Sequence, residues 1–200
     1  NLALSFVFVG ITIFVGLLFA KPIVLFGDQK KYRDKIVLEE ETQYQKIVMT
    51  EWQDNYSLFI NGNLQLSSFD EYMYHEPLVH PVMNLVPKRK RVLVLGGGDG
   101  CAVRELLKYQ EIVSIDLVDL DPKMTALARK NELFLSMNKG ALNHKNVTIK
   151  HEDAFQFLEN NKVLYDVIII DLPDPNNVDL NKLYTREFYF LCSKRCYPSI

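Results

Sequence analysis

Residues 92 to 100 read Val-Leu-Val-Leu-Gly-Gly-Gly-Asp-Gly. Four apolar residues run directly into a glycine-rich turn, which reads as a buried strand delivering a ligand loop. Glycine admits positive φ and close backbone approach, so such a turn after a strand suits a nucleotide or nucleoside. Loops of this kind usually cradle phosphate at a helix N-terminus, where an acid is out of place. Asp99 inside the turn therefore points to a ligand that is cationic where a phosphate would otherwise lie.

Around this motif the pattern alternates strand and helix. Val92–Leu95 is a strand and Cys101–Tyr109 a helix. Ile112–Leu120 holds a second strand. Asp121-Pro122 pairs a capping residue with proline at the first helical position and opens a helix into the 130s. Val147–Lys150 is a strand, Ala154–Asn160 a helix, Asp166–Ile170 a strand, and a last helix runs from about Thr185 to Cys196. Apolar strands alternating with helices imply a parallel sheet covered on both faces, a Rossmann-like α/β domain of the methyltransferase type. Ligands of such sheets bind outside the carboxyl ends of the strands.

Those ends carry acids. The first holds Asp99. The second ends Asp119-Leu120-Asp121. Asp119 lies nineteen residues past Gly100, a spacing that suits an acceptor for ribose hydroxyls. Asp121 reads as a helix cap. The third ends Glu152-Asp153-Ala154. There a carboxylate and a neighbouring backbone N–H can take an adenine edge, or Asp153 can simply cap the next helix. The fourth ends Asp171-Leu172-Pro173-Asp174-Pro175, two acids in a loop stiffened by two prolines. Together Asp99, Asp119, Asp153, Asp171 and Asp174 would repel one another unless a cationic ligand offsets them. They come from four strand ends with no interleaved histidine, so an organic cation suits them better than a metal, and no metal is expected.

Upstream, Leu2 to Ala20 has no charged residue, long enough at about 28 Å to approach a bilayer's hydrocarbon thickness. Lys21, Lys30, Lys31, Arg33 and Lys35 follow. This predicts a transmembrane helix over 1–21, a linker over 22–41 and a cell-membrane location with the remainder facing the cytoplasm. Tyr44–Trp52, Tyr56–Ile60 and Asn63–Leu66 read as strands, with Asn61-Gly62 as a hairpin turn. They form a small antiparallel β-domain over 42–68, ahead of the Rossmann-like domain over 69–200. Asn1 in place of Met and the final Tyr-Pro-Ser-Ile suggest a piece of a longer protein whose sheet is incomplete at the C-terminus, leaving 165–170 as an open edge.

The 200 residues carry a net charge of −2, which gives no case for a nucleic-acid partner. Cys101, Cys192 and Cys196 form no disulfide framework. Cys192 and Cys196, four apart, read as two small buried residues rather than a metal site.

The ordered pieces Tyr44-Gln45, Asp70-Glu71-Tyr72-Met73-Tyr74-His75-Glu76, Gly96 to Gly100, Val118-Asp119-Leu120-Asp121, Glu152-Asp153-Ala154 and Tyr165 to Pro175 resemble the polyamine aminopropyltransferases, the spermidine synthase family. Leu183 to Tyr189 is similar to that family's segment after the catalytic loop. The resemblance covers roughly 40 to 200 and is similar to the family's membrane-embedded bacterial branch. It implies transfer of the aminopropyl group of decarboxylated S-adenosylmethionine to putrescine, giving spermidine and methylthioadenosine. The donor is a co-substrate, and no cofactor is implied. Carried over, Gln45, Gly96, Gly98, Asp119, Asp153 and Ala154 would hold the nucleoside. His75, Asp99 and Asp174 would hold amines. Asp171 would accept the proton, with Tyr74 beside it. A homodimer is compatible with the resemblance. Three residues depart from the family: Leu172-Pro173 stand where soluble members often have Ser, Thr or Ala, and Val178 where they carry proline.

The implied chemistry fits these residues. An alkyl ammonium with a pKa of about 10.4 costs about 4 to 5 kcal/mol to deprotonate at pH 7, so a positioned base is needed. Asp99 would also repel the carboxylate of ordinary S-adenosylmethionine. Two other functions use many of the same residues: an S-adenosylmethionine-dependent methyltransferase, and a non-catalytic polyamine-binding domain of a membrane protein.

Overall fold

The computed structural model describes the backbone of residues 2–175 and 178–197; the side chains of residues 2, 3, 20–26, 28, 178 and 179 also lie outside the described set. The side chain of Val178, Asn1 and the final Pro-Ser-Ile therefore lie outside the described residues.

A helix α1 (Leu2–Gln29) leads into two sheets. The first is an antiparallel meander of β1 (Lys35–Glu41), β2 (Lys46–Trp52), β3 (Asn55–Ile60) and β4 (Asn63–Ser67), paired in that order. Asn61 and Gly62 both take positive φ, at 51° and 83°. That is the backbone a two-residue turn needs to match the strands' twist. Gln53 and Asp54 do the same between β2 and β3, at 48° and 62°.

Helix α2 (Tyr72–Leu85) follows, and then the alternating region: β5 (Arg91–Gly96), α3 (Cys101–Leu106), β6 (Ser114–Asp119), α4 (Pro122–Lys130), α5 (Glu132–Asn138), β7 (Val147–His151), α6 (Ala154–Asn160), β8 (Val167–Asp171), α7 (Val178–Asn181) and α8 (Arg186–Arg195). The second sheet is parallel, in the order β7-β6-β5-β8. Its centre is the strand read first from the sequence. Val92 and Val94 point into one core layer with Ile115, Leu117, Phe134 and Ile169. Leu93 and Leu95 point into the other with Phe157, Leu158, Tyr165 and Phe188. The period-2 alternation of β5 thus buries both faces, which explains its unbroken apolar run. Helix α2 joins the two sheets: its Val79 and Met83 share a core with Ile47, Met49, Leu58 and Leu66 of the meander and with Val92.

The parallel register fixes the site. Gly96 pairs with Asp171 across β5 and β8, and Asp119 with His151 across β6 and β7. The carboxyl ends of all four strands open on one side.

Several expectations need correction. Among the described residues no helix is long and apolar enough to cross a membrane. The transmembrane helix, and with it the membrane partner and the membrane location, is overturned. The 22–41 segment is not an unstructured linker. It holds the end of α1 and the edge strand β1, whose Lys-Ile-Val-Leu core was hidden among charges. Gln29 joins the two, its side-chain oxygen accepting from Ile36 N at 3.0 Å and its amide donating to Asp34 O at 2.8 Å. Helix α2 was not foreseen, because Pro77 and Pro81 lie inside it and proline ordinarily argues against a helix interior. The helix after Asp121 ends at Lys130, where Asn131 breaks the run and caps α5 through Leu133 N. The outer edge of β8 is engaged at its start: Tyr165 bridges Cys196 in parallel.

Candidate active site

A cavity of about 510 Å³ lies at the carboxyl ends of the parallel strands. All eleven site residues expected from the sequence line it: Gln45, Tyr74, His75, Gly96, Gly98, Asp99, Asp119, Asp153, Ala154, Asp171 and Asp174. Tyr44 and Glu152 line it as well.

The loop after β5 is glycine for steric reasons. A Cβ on Gly96 would sit 2.0 Å from the carbonyl oxygen of Asp171, and one on Gly98 2.4 Å from Asp119 Oδ2. Gly96 also takes φ +80°. The main chain is thereby drawn against two acids, and Gly97 N donates to Asp171 O at 2.9 Å. Asp99 closes the turn by accepting from Cys101 N at 2.7 Å through Oδ1, and Asn138 donates to the Asp99 carbonyl at 2.7 Å.

Asp171 ends β8. Its Oδ1 accepts from the Tyr74 hydroxyl at 3.0 Å, while Oδ2 is buried without a hydrogen-bond partner among the described residues. Burial, and after it the Asp99 carboxylate, push its carboxyl up to about 6, against the pull of His75 and the Tyr74 hydrogen bond. Asp119 behaves alike. Burial raises it to about 6, with repulsion from Asp121 and Asp99 adding to that and backbone N–H groups opposing it. Burial in turn, with Asp171 second, pushes the Tyr74 hydroxyl up, so it stays protonated as a donor. His75 is buried; its Nε2 lies 4.0 Å from Asp99 Oδ1.

The two dual readings resolve differently. Asp121 is a cap, as expected: Oδ1 accepts from Lys123 N at 2.9 Å. Its other oxygen accepts from Thr42 Oγ1 and Gln45 Nε2, both at 2.9 Å. Thus Asp121 ties the meander's Gln45 to the wall of the cavity. Asp153 is both cap and lining. It accepts from Phe155 N and Gln156 N and pairs with Lys182 at 2.7 Å. Burial would raise its carboxyl, yet the Lys182 hydrogen bond and the capping N–H groups hold it below the ordinary range.

Three features escaped the sequence reading. Lys182 reaches Asp153 from a turn ten residues past Leu172. Tyr184 donates to the carbonyls of Pro173 at 2.7 Å and Leu172 at 3.2 Å, pinning the loop that carries Asp171 and Asp174. Both lie in or beside the Leu183–Tyr189 segment, whose resemblance was legible while its contacts were not. Thirdly, Arg104 grips Glu71 behind His75.

Among the described residues, three groups of side chains could hold a metal by proximity. In Glu76, His80 and Glu105, the Lys108 ammonium already sits on Glu105 and lies 3.8 Å from Glu76. In Glu71, His75 and Cys101, Arg104 covers both Glu71 oxygens, and burial keeps the Cys101 thiol protonated. In His75, Asp99 and Asp171, burial and mutual repulsion already raise Asp171, so any cation, metal or ammonium, would be drawn there.

Fold and cavity together define a Rossmann-like domain with an acid-lined, cation-seeking cleft at its strand ends. Residues 71–199 match the spermine/spermidine synthase domain, and the chain belongs to that family. It is 48% identical over 190 residues to a polyamine aminopropyltransferase of Oceanobacillus iheyensis, covering 95% of this chain and 37% of the relative. It is 44% identical to one of Leptospira interrogans, covering 90% of this chain and 36% of the relative. The chain thus spans little more than a third of these relatives. A spermidine synthase crystallised with the transition-state analogue AdoDATO superposes with a TM-score of 0.75 at 31% identity, covering 81% of this chain and 55% of that one. The Thermotoga maritima spermidine synthase gives 0.73 at 31% identity, covering 81% and 54%.

Proposed function

We propose that this chain carries a polyamine aminopropyltransferase site, which moves the aminopropyl group of decarboxylated S-adenosylmethionine to putrescine and releases spermidine and methylthioadenosine. The observation that carries this reading is Asp171: a half-buried carboxylate with one oxygen on Tyr74 and one unpartnered, facing Asp99 and His75 across the cavity. Such a group would accept a proton from an incoming ammonium and become better matched to its surroundings as the cation arrives.

In the proposed reaction the amine nitrogen loses its proton to Asp171. Its lone pair then attacks the aminopropyl carbon bonded to the sulfonium sulfur. The C–S bond breaks, and sulfur keeps the electron pair as a neutral thioether. The sulfonium is already an activated leaving group, so alignment and amine deprotonation are what the protein must supply. Asp99, His75 and Asp174 receive the amine ends. Asp119 accepts from the ribose and Asp153 with Ala154 receives the adenine. Gln45, held by Asp121, and the Gly96 and Gly98 backbone shape the nucleoside wall. On this reading the meander over 35–67 belongs to the active unit with the parallel-sheet region. The relatives' shared name and the analogue-bound neighbour support aminopropyl transfer over methyl transfer.

The deciding experiment is incubation of the protein with decarboxylated or ordinary S-adenosylmethionine and a series of diamines, followed by mass analysis. Methylthioadenosine and spermidine are expected from the decarboxylated donor and putrescine. A methylated amine from the ordinary donor would replace this reading with a methyltransferase. Polyamine binding without turnover would replace it with a binding domain.

A further inference from the structure

Glu71 occupies the N-cap position of α2, yet its side chain makes no capping hydrogen bond. Its carboxylate turns inward instead. Arg104 of α3 holds it by both oxygens, NH1 to Oε1 at 2.7 Å and NH2 to Oε2 at 2.9 Å. Arg104 is itself anchored by the Met137 carbonyl at 2.7 Å and by Glu105 at 2.9 Å. On its other side Glu71 Oε2 lies 2.7 Å from His75 Nδ1, and the Glu71 carbonyl oxygen lies 2.8 Å from the same nitrogen. His75 is 2% exposed. Its Nε2 lies on the cavity side, 4.0 Å from Asp99 Oδ1.

Both neighbours of Nδ1 are acceptors without a proton of their own. A carbonyl oxygen always is. Glu71 is too, because the Arg104 and His75 contacts hold its carboxyl below the ordinary range despite burial. A nitrogen facing two acceptors must carry the hydrogen. In the neutral imidazole the other nitrogen then bears the lone pair. The charged and titratable groups around the ring are Glu71, Arg104 and the Cys101 thiol behind it, and Asp99, Asp171 and Tyr74 in front of it. A bidentate arginine–carboxylate pair fixes orientation as well as charge.

We propose that Glu71, clamped by Arg104, is a positioning residue that locks His75 in the Nδ1–H form, so that Nε2 presents a lone pair to an amine N–H in the cavity. The identity of that amine rests on the aminopropyltransferase reading. The tautomer does not. With Nδ1 held by Glu71, Nε2 is the ring nitrogen that His75 turns to an amine between the acids.

The test uses the protein labelled with 15N in its four histidines, His75 being assigned with His75→Gln. Long-range proton–nitrogen spectra are expected to show Nδ1 protonated and Nε2 bare. Titration with putrescine should move the Nε2 resonance. In Glu71→Gln, whose amide can donate as well as accept, the Nε2–H form should appear; in Glu71→Asp the wild-type form should persist. Glu71→Gln should raise KM for the amine about tenfold, the size of one hydrogen bond to a charged group, with KM for the donor unchanged. In a His75→Gln background it should add nothing. A proton on Nε2 in the wild type overturns the proposal, as does a change that raises both KM values alike. If no product forms at all, the aminopropyltransferase reading falls while the spectra still decide the tautomer.

Discussion

Two groups of carboxylates lie on either side of His75, and they are built oppositely. Behind it, between α2 and α3, every acid has a cation. Glu71 has Arg104, and Glu105 has Arg104 and Lys108. Both glutamates are held below the ordinary range although burial alone would raise them. In front of it, Asp119 and Asp171 have no lysine or arginine partner among the described residues, and burial raises both to about 6. A protein meant only to fold has little reason to keep the second arrangement, since uncompensated buried charge is costly. The rear cluster is balanced by its own cations; the front cluster, on the proposed reading, is balanced by a cationic ligand. Perturbation upward, in a cleft and without a partner, marks function here, whereas the strongest ion pairing marks scaffold.

The largest effect that would test this contrast is on activity. Asp171→Asn keeps the shape and removes the base, and should slow turnover by about 10²–10⁴-fold, read as methylthioadenosine formed per unit time. Since Asp171 loses its proton near 6, the rate of the wild type at low substrate should rise as pH increases through that value. The rising limb should vanish in the variant. Stability should respond with the opposite sign. A carboxyl raised from 3.8 to about 6 in the folded state binds more protons folded than unfolded within that window. Its contribution to stability is therefore greatest at low pH and is lost as pH rises through about 6. Glu71 and Glu105, held below 4.5, contribute above that value and lose their contribution as pH falls through their folded pKa values. Urea midpoints at pH 4.5 and 6.5 should show the downward slope shrinking in Asp171→Asn. A larger slope in the variant would mean that Asp171 is already ionised and paired in the free protein.

On the rear side the prediction reverses. Arg104→Met fills similar volume but strips Glu71 of its partner. Breaking a buried pair from one side typically costs about 3–5 kcal/mol, so the thermal midpoint should drop clearly. Asp171→Asn at the same pH should leave it unchanged or raise it. Equal destabilisation by both variants would erase the distinction between the two clusters.

Within the front cluster Asp99 is assigned a choice between donors. Asp99→Asn should lower the preference for decarboxylated over ordinary S-adenosylmethionine by about 10- to 100-fold, the range of one charge-assisted contact. This is read as a ratio of kcat/KM values for donor consumption. An unchanged ratio would leave Asp99 with only its turn-closing bond to Cys101 N.

How much of this contrast could be read in advance follows the range of the interactions. The parallel sheet was legible because Val92–Leu95 and Val167–Ile170 state their burial locally. The front cluster was legible because strand ends converge by topology, whatever the side chains do. Helix α2 was hidden by Pro77 and Pro81, whose local preference is overridden by Val79 and Met83 packing into the core. The rear cluster was hidden because Glu71 and Arg104 are thirty-three residues apart, and nothing at either position announces the other. The apolar run at the start of α1 invited a reading by composition, which the described side chains do not sustain. Tyr184 lies in the resembling Leu183–Tyr189 segment and Lys182 beside it, but neither a carbonyl acceptor nor a carboxylate twenty-nine residues away leaves a trace at those positions in the sequence.

Tyr184 gives the smallest and most local test. Its hydroxyl donates to the carbonyls of Leu172 and Pro173, inside the loop between Asp171 and Asp174. Tyr184→Phe deletes only that oxygen. A hydrogen bond at a partly exposed position contributes about 0.5–1.5 kcal/mol, and here it restrains a loop rather than the core. The thermal midpoint should barely move, while KM for the amine rises a few-fold and kcat less. If the loop were rigid through its prolines alone, neither constant would change, and placement of Asp174 would belong to Pro173 and Pro175 rather than to the tyrosine that reaches across from the next turn.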